Sequence, residues 1–141
     1  MEHYRKLERM YLTAPINQRD KPVLKVEDGL AEIRQGVGQH LHHGAGAMHG
    51  SIYFKMLDDA CFFAANSKIT ETLVLTAHFE IDLLKPVASG QIVAKAEVTE
   101  ITDRRVHAKG ELLGPDGAVI ARGNGIFVIS RIPFTPELGY L

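Results

Sequence analysis

The sequence predicts an α+β fold in which a curled antiparallel sheet wraps around one long, buried helix. The first observation is a largely apolar segment from Gly50 to Asn66 that no proline interrupts. The second is a period-two alternation that begins near Leu73 and continues through several strands. The third is physical, because one apolar helix beside a sheet can bury its surface only if the sheet curls around it.

The segment from Gly50 to Asn66 is the predicted central helix. With about 100° between successive residues, apolar side chains cover more than half of its circumference. Lys55, Asp59 and Asn66 share the remaining polar stripe. We expect Lys55 and Asp59 to form an exposed ion pair of small energetic value.

The other elements follow from their own patterns. A short amphipathic helix is predicted over residues 2–12, and a hairpin over residues 23–26 and 30–37. A loop rich in Gly and His over residues 38–48 leads into the central helix. Four strands follow it, at residues 73–84, 91–101, 104–113 and 118–130.

The alternation also predicts which residues of two of these strands face the core. In the first strand, Leu75 and Ala77 are assigned to the buried face and Thr76 to the opposite face. In the last strand, Gly123 and Gly125 fall on the buried face, which indicates a bend or a close approach of backbone.

The composition limits the class of protein to which this chain can belong. The 141 residues make one domain, with 23% charged and 45% hydrophobic residues. A net charge of −1 offers no basic field for phosphates, so nucleic acid is not a predicted partner. Charged residues interrupt every apolar run and the charged N-terminus lacks a signal-peptide core, which predicts no membrane association and a cytoplasmic location. The one cysteine, Cys61, is predicted to be a core side chain.

Asp58 is the helix residue that most suggests chemistry. It points about 100° away from Asp59, toward Phe54, Phe62 and other apolar neighbours. A carboxylate against apolar surface is costly unless partners satisfy it or chemistry uses it. Asp58 is therefore the candidate acid or base, and the alternative is an inert capping or dimer-contact carboxylate.

A motif around this residue resembles that of hotdog-fold acyl-CoA thioesterases of the PaaI type. The chain has His49-Gly50-Ser51, then Phe54, then Asp58 nine positions after the histidine, where the family has His-Gly-Gly and a helical Asp. Residues 82–90, which contain Lys85-Pro86, are similar to the strand exit of the family. The resemblance covers the chain from about residue 20 onward and implies a hotdog fold that hydrolyses acyl-CoA thioesters.

The resemblance implies four catalytic roles. The Gly50 N–H, at a helix N-terminus, would hold the developing oxyanion. Asp58 would act as general base or nucleophile, with a pKa raised by its apolar surroundings. Thr76 matches a Ser or Thr that positions water, and His49 is expected to orient the loop and the helix start rather than to react.

Three further residues are implied to contact substrate, and each departs from the family pattern. His43 stands where the family often has an Asn near the thioester, and Ser51 replaces the second Gly. Lys85 stands where Arg is usual and would meet a phosphate of CoA. The competing reading of Lys85 is a solvated lysine at a strand end.

The spacing also implies an oligomer. Gly50 and Asp58 are roughly 12 Å apart along one helix at the standard rise, so one helix cannot easily bring both to one carbonyl. Hotdog enzymes combine the glycine end of one chain with the acid of another. A homodimer or homotetramer is therefore expected, and exposed strand edges favour it.

Other functions stay open at this point. Because Ser51 and His43 depart from the family pattern, a second function remains open: a non-catalytic protein that binds acyl-CoA or another hydrophobic ligand. A hotdog dehydratase or hydratase would need a catalytic His in a motif that the sequence does not contain. A metal site built from His40, His42, His43, His49 and Asp58 matches no compact ligand spacing, so neither metal nor cofactor is predicted.

Overall fold

The computed structural model describes all residues from 1 to 141. Its helices and strands are α1 (Glu2–Thr13), β1 (Val23–Glu27), β2 (Leu30–Gly36), α2 (Gly50–Ser67), β3 (Thr72–Leu83), β4 (Gln91–Thr102), β5 (Arg105–Leu113) and β6 (Val119–Pro133). Short 3₁₀ turns lie at Pro15–Asn17, Gln39–Leu41 and Pro136–Leu138. Every predicted helix and strand is present.

The six strands form one antiparallel sheet in the order β1-β2-β4-β5-β6-β3. Helix α2 contacts all six strands, so the predicted arrangement of a sheet curled around a central helix is confirmed. The strands β4, β5 and β6 form an antiparallel meander, whereas β3 lies at the far edge and pairs with β6. Neither helix combines the length and apolar character needed to cross a membrane.

The core is centred on α2. Met56, Leu57, Ala60 and Cys61 have no exposed surface and belong to a single hydrophobic cluster. Burying one large apolar side chain of this kind stabilises a fold by about 1.5–3 kcal/mol. Burial also raises the pKa of the Cys61 thiol to about 12, so Cys61 is an inert core side chain, as predicted.

Strand β3 does not keep the predicted alternation. Val74 is fully buried and Leu75 is 48% exposed, the reverse of the predicted assignment. The pairing with β6 then shifts register between Thr76 and His78, and Phe79 beyond the shift packs against the core. A one-residue irregularity moves the following side chains to the other face, which a strict period of two cannot represent.

The two edges of the sheet differ. At β1, Arg5 Nη2 donates to the Val26 carbonyl at 2.6 Å, and Glu8 Oε2 accepts from the Val26 N–H at 2.8 Å. Side chains of α1 therefore occupy that edge. From Leu75 to Leu83, no side chain of the chain bonds to the outer edge of β3, which leaves its backbone groups free for another strand.

Phe79 explains the two glycines of β6. A Cβ at Gly125 would lie 2.6 Å from Phe79 Cδ2, and one at Gly123 would lie 2.7 Å from Phe79 Cε1. The predicted close approach is confirmed, although its partner is an aromatic ring rather than backbone alone. The Phe79 ring in turn meets Phe54 edge-on, with ring centroids 5.4 Å apart.

Candidate active site

Asp58 and Thr76 meet at the boundary between α2 and β3. Thr76 Oγ1 donates a hydrogen bond to Asp58 Oδ1 at 2.8 Å. Thr76 lies on the same face of β3 as the buried Val74, whereas Leu75 points the other way. That face is turned toward the helix, so Thr76 can reach Asp58. Asp58 is half-buried, whereas Thr76 is exposed along the free edge of the sheet.

The surroundings of Asp58 make it more basic than an ordinary aspartate. Burial raises the pKa of the Asp58 carboxyl from 3.8 to about 6. The Thr76 hydrogen bond stabilises the carboxylate and lowers the pKa, while the neighbouring negative charge of Asp59 raises it. At neutral pH such a group is ionised and can still accept a proton readily.

The N-terminus of α2 keeps one backbone donor free. His49 is the N-cap: its Nδ1 accepts from the Ser51 N–H at 3.0 Å, and its carbonyl accepts from the Ile52 N–H at 3.0 Å. Gly50, the first residue of the helix, donates its N–H to no group of the chain. His49 thus orders the helix start, and the Gly50 N–H is available where the helix dipole is positive.

A pocket of about 370 Å³ opens over this N-terminus. It is lined by His43, Met48, Gly50, Tyr53, Leu83, Leu84, Lys85 and Pro86. Tyr53 Oη donates to the Lys85 carbonyl at 2.9 Å and so ties the strand exit to the helix. The pocket therefore combines an apolar wall, a free backbone N–H and one cationic side chain at its rim.

The seven predicted site residues fall into two groups. His43, Gly50 and Lys85 line the pocket at the start of α2, and His49 and Ser51 build that helix start, with Ser51 Oγ 2.8 Å from His49 Nδ1. Asp58 and Thr76 contact each other two turns further along. The pocket does not include either of them.

The histidines of the loop have separate partners. His40 pairs with Asp20, and His42 Nε2 donates to the Ala88 carbonyl at 2.7 Å. His43 Nδ1 accepts from the Ala45 N–H at 3.0 Å, within its own turn. No three His, Cys, Asp or Glu side chains come together in a way that could hold a metal ion.

The expectation of an exposed Lys55–Asp59 pair is wrong. Each side chain is only 22% exposed, and Lys55 Nζ lies 2.9 Å from Asp59 Oδ2. Tyr11 Oη donates to the same Asp59 oxygen at 2.6 Å, and Lys55 also donates to Asn17 Oδ1 at 2.8 Å. The packing of α1 and the following turn over α2 buries this network, and no signal within α2 could have revealed it.

Asn66, assigned to the same polar stripe, is also buried and has no exposed surface. Its Nδ2 donates to the carbonyls of Ile69 and Thr72, and its Oδ1 accepts from the Val74 N–H at 2.9 Å. Asn66 therefore fixes the turn from α2 into β3 and the start of the strand that carries Thr76.

Residues 45–121, more than half of the chain, match the family model described as "Thioesterase superfamily". The matched region contains the whole of α2 and the strands β3 to β5. No curated protein sequence matches this chain.

Solved structures share the fold at low sequence identity. The PaaI protein of the E. coli phenylacetic acid degradation operon is 19% identical, with a TM-score of 0.86 over 95% of this chain and 97% of that one. A thioesterase family protein of Silicibacter pomeroyi is 23% identical, with a TM-score of 0.82 over 91% and 99%. A conserved protein of Pseudomonas aeruginosa is 24% identical, with a TM-score of 0.79 over 86% and 98%.

The similarity to solved structures establishes the fold, and the match to the family model establishes the family. The predicted α+β hotdog architecture is confirmed, with α2 as its central helix. Membership supports thioester hydrolysis as the general activity. The chain belongs to the thioesterase superfamily and has its hotdog fold.

Proposed function

We propose that this protein hydrolyses acyl-CoA thioesters to the free acid and CoA, at a site completed by a second copy of the chain. The observation that carries the proposal is the half-buried Asp58 carboxylate, hydrogen-bonded to Thr76 at 2.8 Å and with its pKa raised to about 6. A basic carboxylate beside a hydroxyl at an open surface is suited to activating water.

In the proposed reaction, Asp58 removes a proton from water as the water oxygen attacks the thioester carbonyl carbon. Thr76 orients the carboxylate and the water. The tetrahedral intermediate then collapses, the C–S bond breaks, and the CoA sulfur leaves and receives the proton. If Asp58 attacks the carbonyl carbon directly instead, the C–S bond breaks, CoA leaves as its thiolate and a mixed anhydride forms. In a second step, water hydrolyses the anhydride to the free acid and the Asp58 carboxylate, and the released proton goes to the thiolate.

The Gly50 N–H is the proposed oxyanion donor. It has no partner within the chain, it lies at the positive end of α2, and no side chain on Gly50 obstructs a carbonyl. One donor of this kind contributes about 2.7–4 kcal/mol of transition-state stabilisation. The pocket beside it, with His43 and Lys85 at its rim, is the proposed entrance for the thioester and the CoA phosphates.

The proposed dimer joins two β3 edges. Arg5 and Glu8 occupy the edge of β1, whereas the edge of β3 is free. Leu75 on β3 is 48% exposed and Phe54 on α2 is 41% exposed, so apolar surface surrounds that free edge. In an antiparallel pair, Gly50 of one chain would approach Asp58 of the other, and two such dimers would make a tetramer.

The test is release of free thiol from short, medium, long and aryl acyl-CoAs by the wild type and by Asp58→Asn. We expect the wild type to hydrolyse at least one class, and the variant to lose hydrolysis while it elutes as the same oligomer on sizing. Full activity in Asp58→Asn would overturn the role of Asp58. No turnover of any thioester by the wild type would favour a ligand-binding protein instead.

A further inference from the structure

Asp58 and Asp59 are adjacent on α2 but have opposite surroundings. Asp59 Oδ2 accepts hydrogen bonds from Tyr11 Oη at 2.6 Å and from Lys55 Nζ at 2.9 Å. Asp58 accepts one hydrogen bond within the chain, from Thr76, and forms no salt bridge. One carboxylate is thus paired with a fixed cation, and its half-buried neighbour has none.

The cation is held in place more firmly than in an ordinary surface pair. Lys55 Nζ donates to Asn17 Oδ1 at 2.8 Å and lies 5.2 Å from the centre of the Tyr11 ring. Asn17, which is 1% exposed, is itself fixed by donating to the Tyr11 carbonyl at 2.8 Å. Helix α1 and its following turn therefore lock the Lys55 ammonium against Asp59.

This arrangement matters because two neighbouring carboxylates oppose each other's ionisation. The negative charge of Asp59 already raises the pKa of Asp58, even with Lys55 in place. Burial is the main cause of the raised pKa of the Tyr11 hydroxyl and of the Cys61 thiol, and the charge of Asp58 raises both further, so these groups interact electrostatically with Asp58. The groups that interact electrostatically with Asp58 are Asp59 and Cys61 from α2, Thr76 from β3 and Tyr11 from α1. Lys55 joins them through its contact with Asp59.

We propose that the Lys55–Asp59–Tyr11 network is a positioning device for Asp58. The network offsets part of the charge of the adjacent Asp59 carboxylate, so that Asp58 can carry the charge that catalysis needs. The inference rests on the proposed role of Asp58 as the base. It assigns Lys55, Asp59 and Tyr11 as positioning residues, because none of them touches the reacting atoms.

The test is the pH dependence of kcat/KM for acyl-CoA hydrolysis in two opposite variants. Lys55→Met keeps the length of the side chain but leaves Asp59 uncompensated, so the acidic limb of the profile should move to higher pH by roughly half to one unit. Asp59→Asn removes the neighbouring anion, so the limb should move to lower pH by a similar amount. Lys55→Arg keeps the charge and should restore the wild-type limb.

The opposite signs separate this role from a structural one. A network that only braces α1 against α2 would lower activity or stability in both variants without moving the limb in opposite directions. The double variant Lys55→Met with Asp59→Asn leaves no unpaired charge, so it keeps the comparison interpretable if Lys55→Met alone folds poorly. In that double variant the two opposite shifts should cancel, so the limb should lie close to that of the wild type.

The outcomes distinguish this inference from the proposed function. If Asp58→Asn is inactive but the limb stays fixed or moves the same way in both network variants, the positioning role is overturned and the base assignment stands. If Asp58→Asn remains active, the positioning role and the assignment of Asp58 as the base are both overturned. Opposite shifts together with an inactive Asp58→Asn support both.

Discussion

Thr76 Oγ1 donates a 2.8 Å hydrogen bond to Asp58 Oδ1, and this bond joins the edge strand of the sheet to the central helix. It is the one hydrogen bond that lowers the pKa of a carboxyl group that burial otherwise raises. The bond therefore favours the ionised, basic form of Asp58 and fixes its direction.

Removal of this bond should make Asp58 harder to ionise. In Thr76→Val the pKa of Asp58 should rise above about 6, and the acidic limb of kcat/KM should move to higher pH by roughly half to one unit. Measurement of kcat/KM from pH 5 to pH 9 provides the check. Thr76→Ser keeps the hydroxyl and is the matched control, and an unchanged limb in Thr76→Val would contradict the account.

Asp58 should also destabilise the folded protein at neutral pH. Its folded-state pKa of about 6 lies above its ordinary value of 3.8, so the penalty of the ionised carboxylate is fully present above pH 6 and disappears below about pH 4. Asp58→Asn should therefore raise the free energy of unfolding at pH 7 by about 1–2 kcal/mol, after allowance for the solvent that reaches this half-buried group.

Urea denaturation of Asp58→Asn and wild type at pH 7 and at pH 4 measures this difference. The gain should shrink at the lower pH, because the wild-type carboxyl is then protonated in the folded state. A variant less stable than wild type at pH 7 would show that the carboxylate is structural and not a functional group held at a cost.

Two substitutions at Gly50 separate the N–H from the absence of a side chain. Gly50→Ala keeps the N–H and brings a Cβ to 3.2 Å from the flexible Leu83 Cδ1. Gly50→Pro adds a similar Cβ but deletes the N–H, and proline suits this first helical position because His49 has an extended ψ of 142°. With an oxyanion role, kcat should fall about 10²–10³-fold in Gly50→Pro and much less in Gly50→Ala.

Steady-state kinetics and circular dichroism of the two variants test this difference. Both should retain the helical signal of the wild type. Equal losses of kcat in folded Gly50→Ala and Gly50→Pro would mean that crowding, and not the loss of a donor, is responsible.

The contact between Phe79 and β6 should make Gly125 intolerant of a side chain. A Cβ there would lie 2.6 Å from Phe79 Cδ2 and 2.9 Å from Phe127 Cε2. Gly125→Ala should cost about 1–3 kcal/mol in chemical denaturation because these packed rings must move. In a Phe79→Leu background the added cost should be smaller, and an equal cost in both backgrounds would exclude Phe79 as the cause.

Local patterns in the sequence predicted the elements and the central helix. The apolar run of α2 is long enough to be unambiguous, and the half-buried state of Asp58 follows from its position on that helix. Strand β3 was harder, because Leu73, Val74 and Leu75 are all apolar and no local feature marks the register shift near Thr76. The buried face was therefore assigned to Leu75 when it belongs to Val74.

Contacts between distant segments were beyond the reach of these patterns. The burial of Lys55 and Asp59 depends on α1, which lies more than 40 residues earlier in the chain. The sequence pattern could assign Tyr11 of α1 to an apolar helix face, but it could not predict which residues that face would contact. The fit of Phe79 against Gly125 depends on the pairing of β3 with β6 across a crossover. Such pairings are fixed by the whole fold and carry no signature of their own within either segment.

The central claim is that Gly50 of one chain and Asp58 of another act on the same thioester. Its most direct test is a hybrid dimer of one Asp58→Asn chain and one Gly50→Pro chain, purified with two different tags. The account predicts two inactive homodimers and a hybrid with about half of the wild-type activity, because one of its two sites keeps both groups. A hybrid as inactive as its parents would contradict a site shared between chains.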